Sequence, residues 1–179
     1  MSIKLIWDKS ECTLELGHVT IQAAPQDYPP FPVQAMVEEQ DTHLLMSEQT
    51  TLSDPGKPAW YLANTLERDE TSFLLGTVLL NRQQPGRLLA IVHDIELDPP
   101  CKPEYIEQAW KNIFLIIQSQ KFTSIAIPLL GTVHGKLKTN DAIKLLRAAL
   151  QQNLPNCLER IWLILPEGTT CACLEELSL

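Results

Sequence analysis

No apolar stretch in this chain approaches the roughly 20 residues that a membrane-spanning helix needs. The opening Met1-Ser-Ile-Lys-Leu-Ile-Trp-Asp8 lacks the core of a signal peptide, so the sequence predicts a cytoplasmic protein without a membrane contact. Positive charge is also scarce. Fourteen Lys and Arg against 22 Asp and Glu leave a formal net charge of −8, with a pI near 4.9. That argues against broad electrostatic attraction to nucleic acid or to anionic lipid. The cysteines, Cys12, Cys101, Cys157, Cys171 and Cys173, are odd in number and lack framework spacing, so reduced thiols are expected. Cys171-Ala-Cys173 has no other cysteine or histidine near it in sequence, and no metal site or cofactor is implied. There is no Walker loop, zinc spacing, Ser-His-Asp or Cys-His arrangement, internal repeat or low-complexity tract.

What is present is an ordinary globular composition, 45% hydrophobic and 20% charged over 179 residues. It fits one domain over 1–179 with a sizeable core. The most informative stretch is 123–151. Ser124 to Leu130 is a nearly unbroken β-favouring apolar run, the pattern of a strand covered on both faces. Gly131 ends it. From Thr139, read as an N-cap with Asp141 in the first turn, Ala142, Leu145, Leu146, Ala149 and Leu150 recur at helical spacing. A strand, a glycine-bearing loop and a helix in this order offer free backbone N–H groups where anions bind. His134, Lys136 and Lys138 put a small positive island there on an otherwise acidic chain.

Taken from the start, Ile3 to Trp7 and Thr13 to Gln22 predict a β-hairpin around Asp8-Lys-Ser-Glu11. Pro25 to Pro32 is a proline-rich loop. Val33 to Val37 and Leu44 to Met46 bracket the acidic Glu38-Glu-Gln-Asp41. Ser53 to Pro58 reads as a turn and Ala59 to Arg68 as a short helix. Phe73 to Leu80 and Leu88 to Leu97 read as an antiparallel hairpin through Gln83-Gln-Pro-Gly86. A helix opens at Pro103 with Ile106, Ala109, Trp110, Ile113 and Ile117 on one stripe, and Ile161 to Leu165 is a further buried strand. From Leu88 onward the alternation of strand and helix indicates an α/β fold with right-handed crossovers.

The second half resembles a macro domain. Leu89-Ala-Ile-Val-His-Asp-Ile is similar to the family strand that ends in isoleucine-histidine. Ser124-Ile-Ala-Ile-Pro-Leu-Leu-Gly-Thr-Val-His-Gly is similar to its signature strand and second glycine loop. The resemblance implies a three-layer fold, a mixed β-sheet between helices, with a cleft for ADP-ribose or a related nucleotide. It implies that Gly131, Thr132, Val133, His134 and Gly135 cradle the diphosphate.

In the first half, Gly17-His-Val-Thr20 resembles the family's Gly-Asp-Ile-Thr, with His18 in place of an aspartate that accepts from the adenine amino group. Gln34 to Asp41 resembles Asp-Ala-Ile-Val-Asn-Ala-Ala-Asn, with Asp41 in place of a ribose-contacting, sometimes catalytic asparagine. No glycine follows Asp41 before Gly56, so the first glycine loop is missing. The reading is a binder of a small phosphorylated ligand such as ADP-ribose, without efficient catalysis. The alternatives are a hydrolase of ADP-ribose derivatives, with Asp41 and His134 handling water and protons, and a degenerate protein-association domain. Asp41, Glu38 and Glu39 are candidates to supply a general base or to hold a cation opposite the loop, against a solvated strand end as the plain alternative; His93 reads as a hydrogen-bonded core histidine, and His18 and His43 read as solvated. Homo-oligomerisation is left open by the sequence.

Overall fold

A computed structural model describes residues 3–5, 12–46, 72–82, 84–165 and 172–178. The expected turn at 53–58 and helix at 59–68 lie outside these residues. The strands are β1 (Ile3–Leu5), β2 (Cys12–Leu16), β3 (Val19–Ala24), β4 (Ala35–Asp41), β5 (Val78–Asn81), β6 (Gly86–His93), β7 (Ser124–Pro128) and β8 (Arg160–Ile164). The helices are α1 (Pro103–Gln120), α2 (Thr139–Asn153) and α3 (Ala172–Ser178). The strands form one mixed sheet in the order β1-β2-β3-β8-β7-β4-β6-β5. From β3 to β6 all neighbours are parallel, and the outer pairs β1–β2, β2–β3 and β5–β6 are antiparallel.

This arrangement puts the carboxyl ends of β3, β8, β7, β4 and β6 on one edge of the sheet. Parallel strands buried on both faces need uninterrupted apolar sequence. Ser124 to Ile127 and Ile161 to Leu163 are accordingly buried throughout. The larger core lies between one sheet face and the helices, where α1 contributes Ile106, Ala109, Trp110, Ile113, Phe114 and Ile117 and α2 contributes Ala142, Ile143, Leu146, Ala149 and Leu150. The expected α1 stripe is all there, and burial of each large member is worth about 1.5–3 kcal/mol. A smaller cluster, Ala24, Phe31, Ala126 and Trp162, covers part of the other face.

Several boundaries differ from those predicted. The run from Thr13 to Gln22 is two strands, because Gly17 adopts φ +62° and turns the chain between β2 and β3. Residues 73–77 form a turn in place of strand. There the Gly76 N–H donates to the Ile91 carbonyl, and an added Cβ would lie 2.7 Å from Gln108 Cβ. β6 stops at His93, earlier than Leu97, and Asp94 Oδ1 accepts from the Glu96 N–H in the following turn. The N-cap of α2 is Lys138, with no side-chain cap, so Thr139 is already helical. Among the described residues no helix is long and apolar enough to cross a membrane.

Candidate functional site

The carboxyl ends of β7, β4 and β6 converge on one set of polar groups. After Pro128 the chain turns at once: the Thr132 N–H and hydroxyl both reach the Leu129 carbonyl, at 3.2 and 2.7 Å. Gly131 has φ +82°, and the Leu137 N–H donates to its carbonyl at 3.0 Å, closing a compact loop. The glycines here are required by space as well as by dihedral. A Cβ on Gly131 would lie 2.7 Å from Ile106 Cδ1, and one on Gly135 would lie 2.6 Å from the Gly131 carbonyl oxygen and 2.7 Å from Cys101 Cβ.

Beneath the loop lies a buried dyad. Glu39, on β4, accepts from the Gly131 N–H through Oε1 at 2.6 Å, and its Oε2 is 2.6 Å from His93 Nε2 at the end of β6. Both side chains are nearly closed to solvent, at 8% and 2% exposure. Nε2 faces the carboxylate, and the other ring nitrogen, Nδ1, is left buried without a partner. The His134 ring, from the loop itself, stands edge-on to His93 with centroids 6.1 Å apart. Cys101 forms the floor under Gly131 and Gly135. Burial, reinforced by the Glu39 charge, pushes its thiol up from 9.0 to about 12, so it is an inert packing group.

Asp41 ends β4 but does not face the glycine loop as a free base. It is fully buried, its Oδ1 accepting from the His43 N–H at 2.7 Å and its Oδ2 from the Leu45 N–H at 2.8 Å. Its carboxylate therefore folds the segment that follows it. Beside it Gln40 is also fully buried, with neither end of its amide partnered. Glu38 points to the other face and pairs with Arg87 at 2.8 Å.

The structure thus brings Glu39, His93, Gly131, Gly135 and His134 together. Thr132 is spent on its own turn, and Val133 and His134 are exposed. His18 does not belong here. It sits in the β2–β3 turn, at the opposite edge of the sheet, with Nε2 3.2 Å from the Pro155 carbonyl oxygen. The acidic side chain that follows β3 at the carboxyl edge of the sheet is Asp27, exposed in the turn that the Tyr28 N–H closes onto the Pro25 carbonyl. A separate groove of about 580 Å³, lined in part by Gln34, Arg82, Lys121 and Phe122, lies at the amino ends of the strands and is remote from this chemistry. Among the described residues no group of three or more His, Cys, Asp or Glu is placed to hold a metal ion.

Fold and loop placement together define the chain as an α/β protein with the macrodomain fold. Compared by structure, it resembles the Oceanobacillus iheyensis macrodomain with MES bound, at TM-score 0.68 and 14% identity over 94% of this chain and 95% of that one. It also resembles the macrodomain of Thermus aquaticus DarG, at TM-score 0.60 and 21% identity over 82% and 98%. The macro domain of ganglioside induced differentiation associated protein 2 gives 0.61 and 9% over 88% and 81%. The Oceanobacillus domain is also described with ADP and, as a mutant, with ADPR. By sequence, no family model and no curated protein matches the chain.

Proposed function

We propose that the protein binds a nucleotide or another small phosphorylated ligand of the ADP-ribose kind through the 131–135 loop. The observation that carries this reading is the run of backbone amides in the loop. The N–H groups of Val133, His134, Gly135 and Lys136 find no acceptor among the described residues. Four consecutive unclaimed donors at the carboxyl end of a parallel strand, flanked by His134, Lys136 and Lys138, are what an oxyanion needs. The orphaned polar atoms of Gln40 and His93 on the adjoining strands support the same end of the sheet, since buried groups of this type are normally paired.

The rim argues for an organic part as well as a phosphate. Leu45, Leu74, Ile95, Leu97 and Val133 are five of the seven large apolar side chains exposed among the described residues, and all lie on the segments around this edge. Asp27, in the turn after β3, is one exposed carboxylate at this edge able to accept from an exocyclic amino group of a base.

A hydrolytic reading has one observation in its favour, the Glu39–His93 dyad with Nδ1 unpartnered, which is how a carboxylate holds a general base. Asp41, with both oxygens engaged, contributes nothing to it.

Thermal-shift titration with ADP-ribose, ADP, AMP and inorganic phosphate tests the binding reading. Ligand at about 100 times its Kd adds about 2.7 kcal/mol, on the order of 5–10 °C for a domain of this size. Val133→Asp, at an exposed position that tolerates substitution, puts a carboxylate beside the free amides and is expected to abolish the shift. No shift with any of the four compounds would refute the proposal.

A further inference from the structure

We propose that the groove at the amino ends of the strands is a second ligand site, built for a small organic anion: a carboxylate or a phosphate ester on an apolar body. This site is independent of the 131–135 loop, which lies at the opposite edge of the sheet. The groove measures about 580 Å³, inside the range of about 300–1,000 Å³ usual for small-molecule sites. It is framed by the start of β4, the end of β5, the start of β6 and the chain leaving α1. Of 81–86 and 120–122, which make up most of the frame, only residue 83 lies outside the described residues.

Gln34 ties this frame in place. Its N–H donates to the Ser124 carbonyl at 3.0 Å, its carbonyl accepts from the Gly86 N–H at 2.8 Å, and its side-chain oxygen accepts from the Thr123 N–H at 2.7 Å. One residue thus fixes the starts of β4, β6 and β7 against one another. With that oxygen engaged, what the side chain has left for a ligand is its amide nitrogen, a donor. Arg82 and Lys121 are donors only, and neither enters an ion pair among the described residues. No Asp or Glu lines the groove. On a chain of net charge −8, a concave surface with two cations and no carboxylate concentrates anions.

The backbone at Lys121 points the same way. This residue closes α1 in the left-handed conformation, at φ 58° and ψ 38°, with its N–H on the Ile117 carbonyl. Glycine is the usual occupant of such a position, because a Cβ there is strained. A lysine one residue earlier would complement the negative end of the helix without that cost, so the strain is explained by what the side chain does in the groove. Val33, Leu80 and Phe122, each half-buried, supply an apolar wall. A bare oxyanion would leave this wall wet, whereas an organic anion covers it while its charge meets Arg82 and Lys121.

The test is an amide NMR titration of the full chain with phenyl phosphate and phenylacetate, with phenylacetamide as the neutral counterpart. At least one anion should shift the amides of Gly86, Lys121 and Phe122 with a Kd of about 1 mM or tighter, and phenylacetamide should not. A response to phenyl phosphate alone assigns the site to phosphate esters, and one to phenylacetate alone assigns it to carboxylates. Lys121→Gly removes a cation and relieves the backbone, so it should unfold no earlier in urea than the wild type. It should nevertheless weaken binding by about threefold or more, as should Arg82→Gln at its exposed position. Weakening in either variant supports the groove. No shift at these amides with either anion, equal shifts with phenylacetamide, shifts confined to 133–136, or a Kd changed by less than about threefold in both variants overturns the proposal.

Discussion

Replacement of Glu39 tests whether the buried dyad holds the glycine loop. In Glu39→Ala the Gly131 N–H loses an acceptor 2.6 Å away, and His93, already without a partner at Nδ1, loses its contact at Nε2 as well. A buried polar group left unsatisfied costs about 1–3 kcal/mol, and more where a charge was involved. Two such groups, offset by relief of the cost of burying the carboxylate, give a loss of about 3–4 kcal/mol. Glu39→Gln keeps an acceptor for one partner only, and about 1–2 kcal/mol is expected. The assay is urea unfolding at neutral pH, read from the midpoint with the slope unchanged. His93→Ala and the double variant complete a cycle. Because both residues share one hydrogen bond, the double loss should fall short of the sum by about 1–3 kcal/mol. A Glu39→Ala loss below about 1 kcal/mol, or additive losses, would refute the role assigned to the dyad.

Asp41→Ala leaves two amides, His43 and Leu45, without their acceptor, and should cost about 2–4 kcal/mol in the same unfolding assay. A Cβ at Gly135 meets backbone oxygen and the Cys101 side chain at 2.6–2.7 Å, so Gly135→Ala should displace the loop, lower stability by about 1–3 kcal/mol and weaken phosphate binding. Gly17→Ala, by contrast, meets nothing within 4 Å. Its cost, from the positive φ alone, should be about 1 kcal/mol and leave binding untouched. Cys101 should resist thiol reagents at about pH 8 in the folded chain and react once unfolded. Burial holds the folded thiol's proton to about pH 12, against 9.0 for an ordinary thiol. Its contribution is therefore intact below pH 9 and lost as pH rises from 9 towards 12, and unfolding midpoints of Cys101→Ala should decline less across that window.

Most of the scaffold was legible because its signals are local. The α1 stripe, the apolar run of β7 and the glycine turn after it follow from side-chain periodicity within a few residues of chain, and the structure has all three. What the sequence hid is long-range. Glu39 stood out only as one of an acidic triplet. That it reaches Gly131, 92 residues away, and His93, 54 residues away, depends on β7 and β6 flanking β4. The sequence order does not state that pairing. The misplacement of His18 has the same origin. The glycine at 17 marks a turn, but which edge of the sheet the turn occupies is decided by the direction of β3 in the assembled sheet. With β3 running parallel to β8, residues before it fall at the edge remote from the glycine loop and Asp27 falls at the near one.

The acidic triplet also shows why charge counted along a strand misjudges a pocket. Read as three carboxylates at a strand end, Glu38, Glu39 and Asp41 suggest a repulsive field facing any phosphate. In the fold they divide: Glu38 leaves by the other face to Arg87, Glu39 turns inward to His93 and Gly131, and Asp41 closes on its own turn. Each of the last two is screened by N–H donors, and each removes those same donors from a ligand. Their effect is thus less to repel an anion than to limit how many of its oxygens the backbone can hold. The loop at 133–136 keeps its amide donors because no carboxylate among the described residues accepts from them. Removing one carboxylate should therefore free amides in its own loop and leave those of the other as they are.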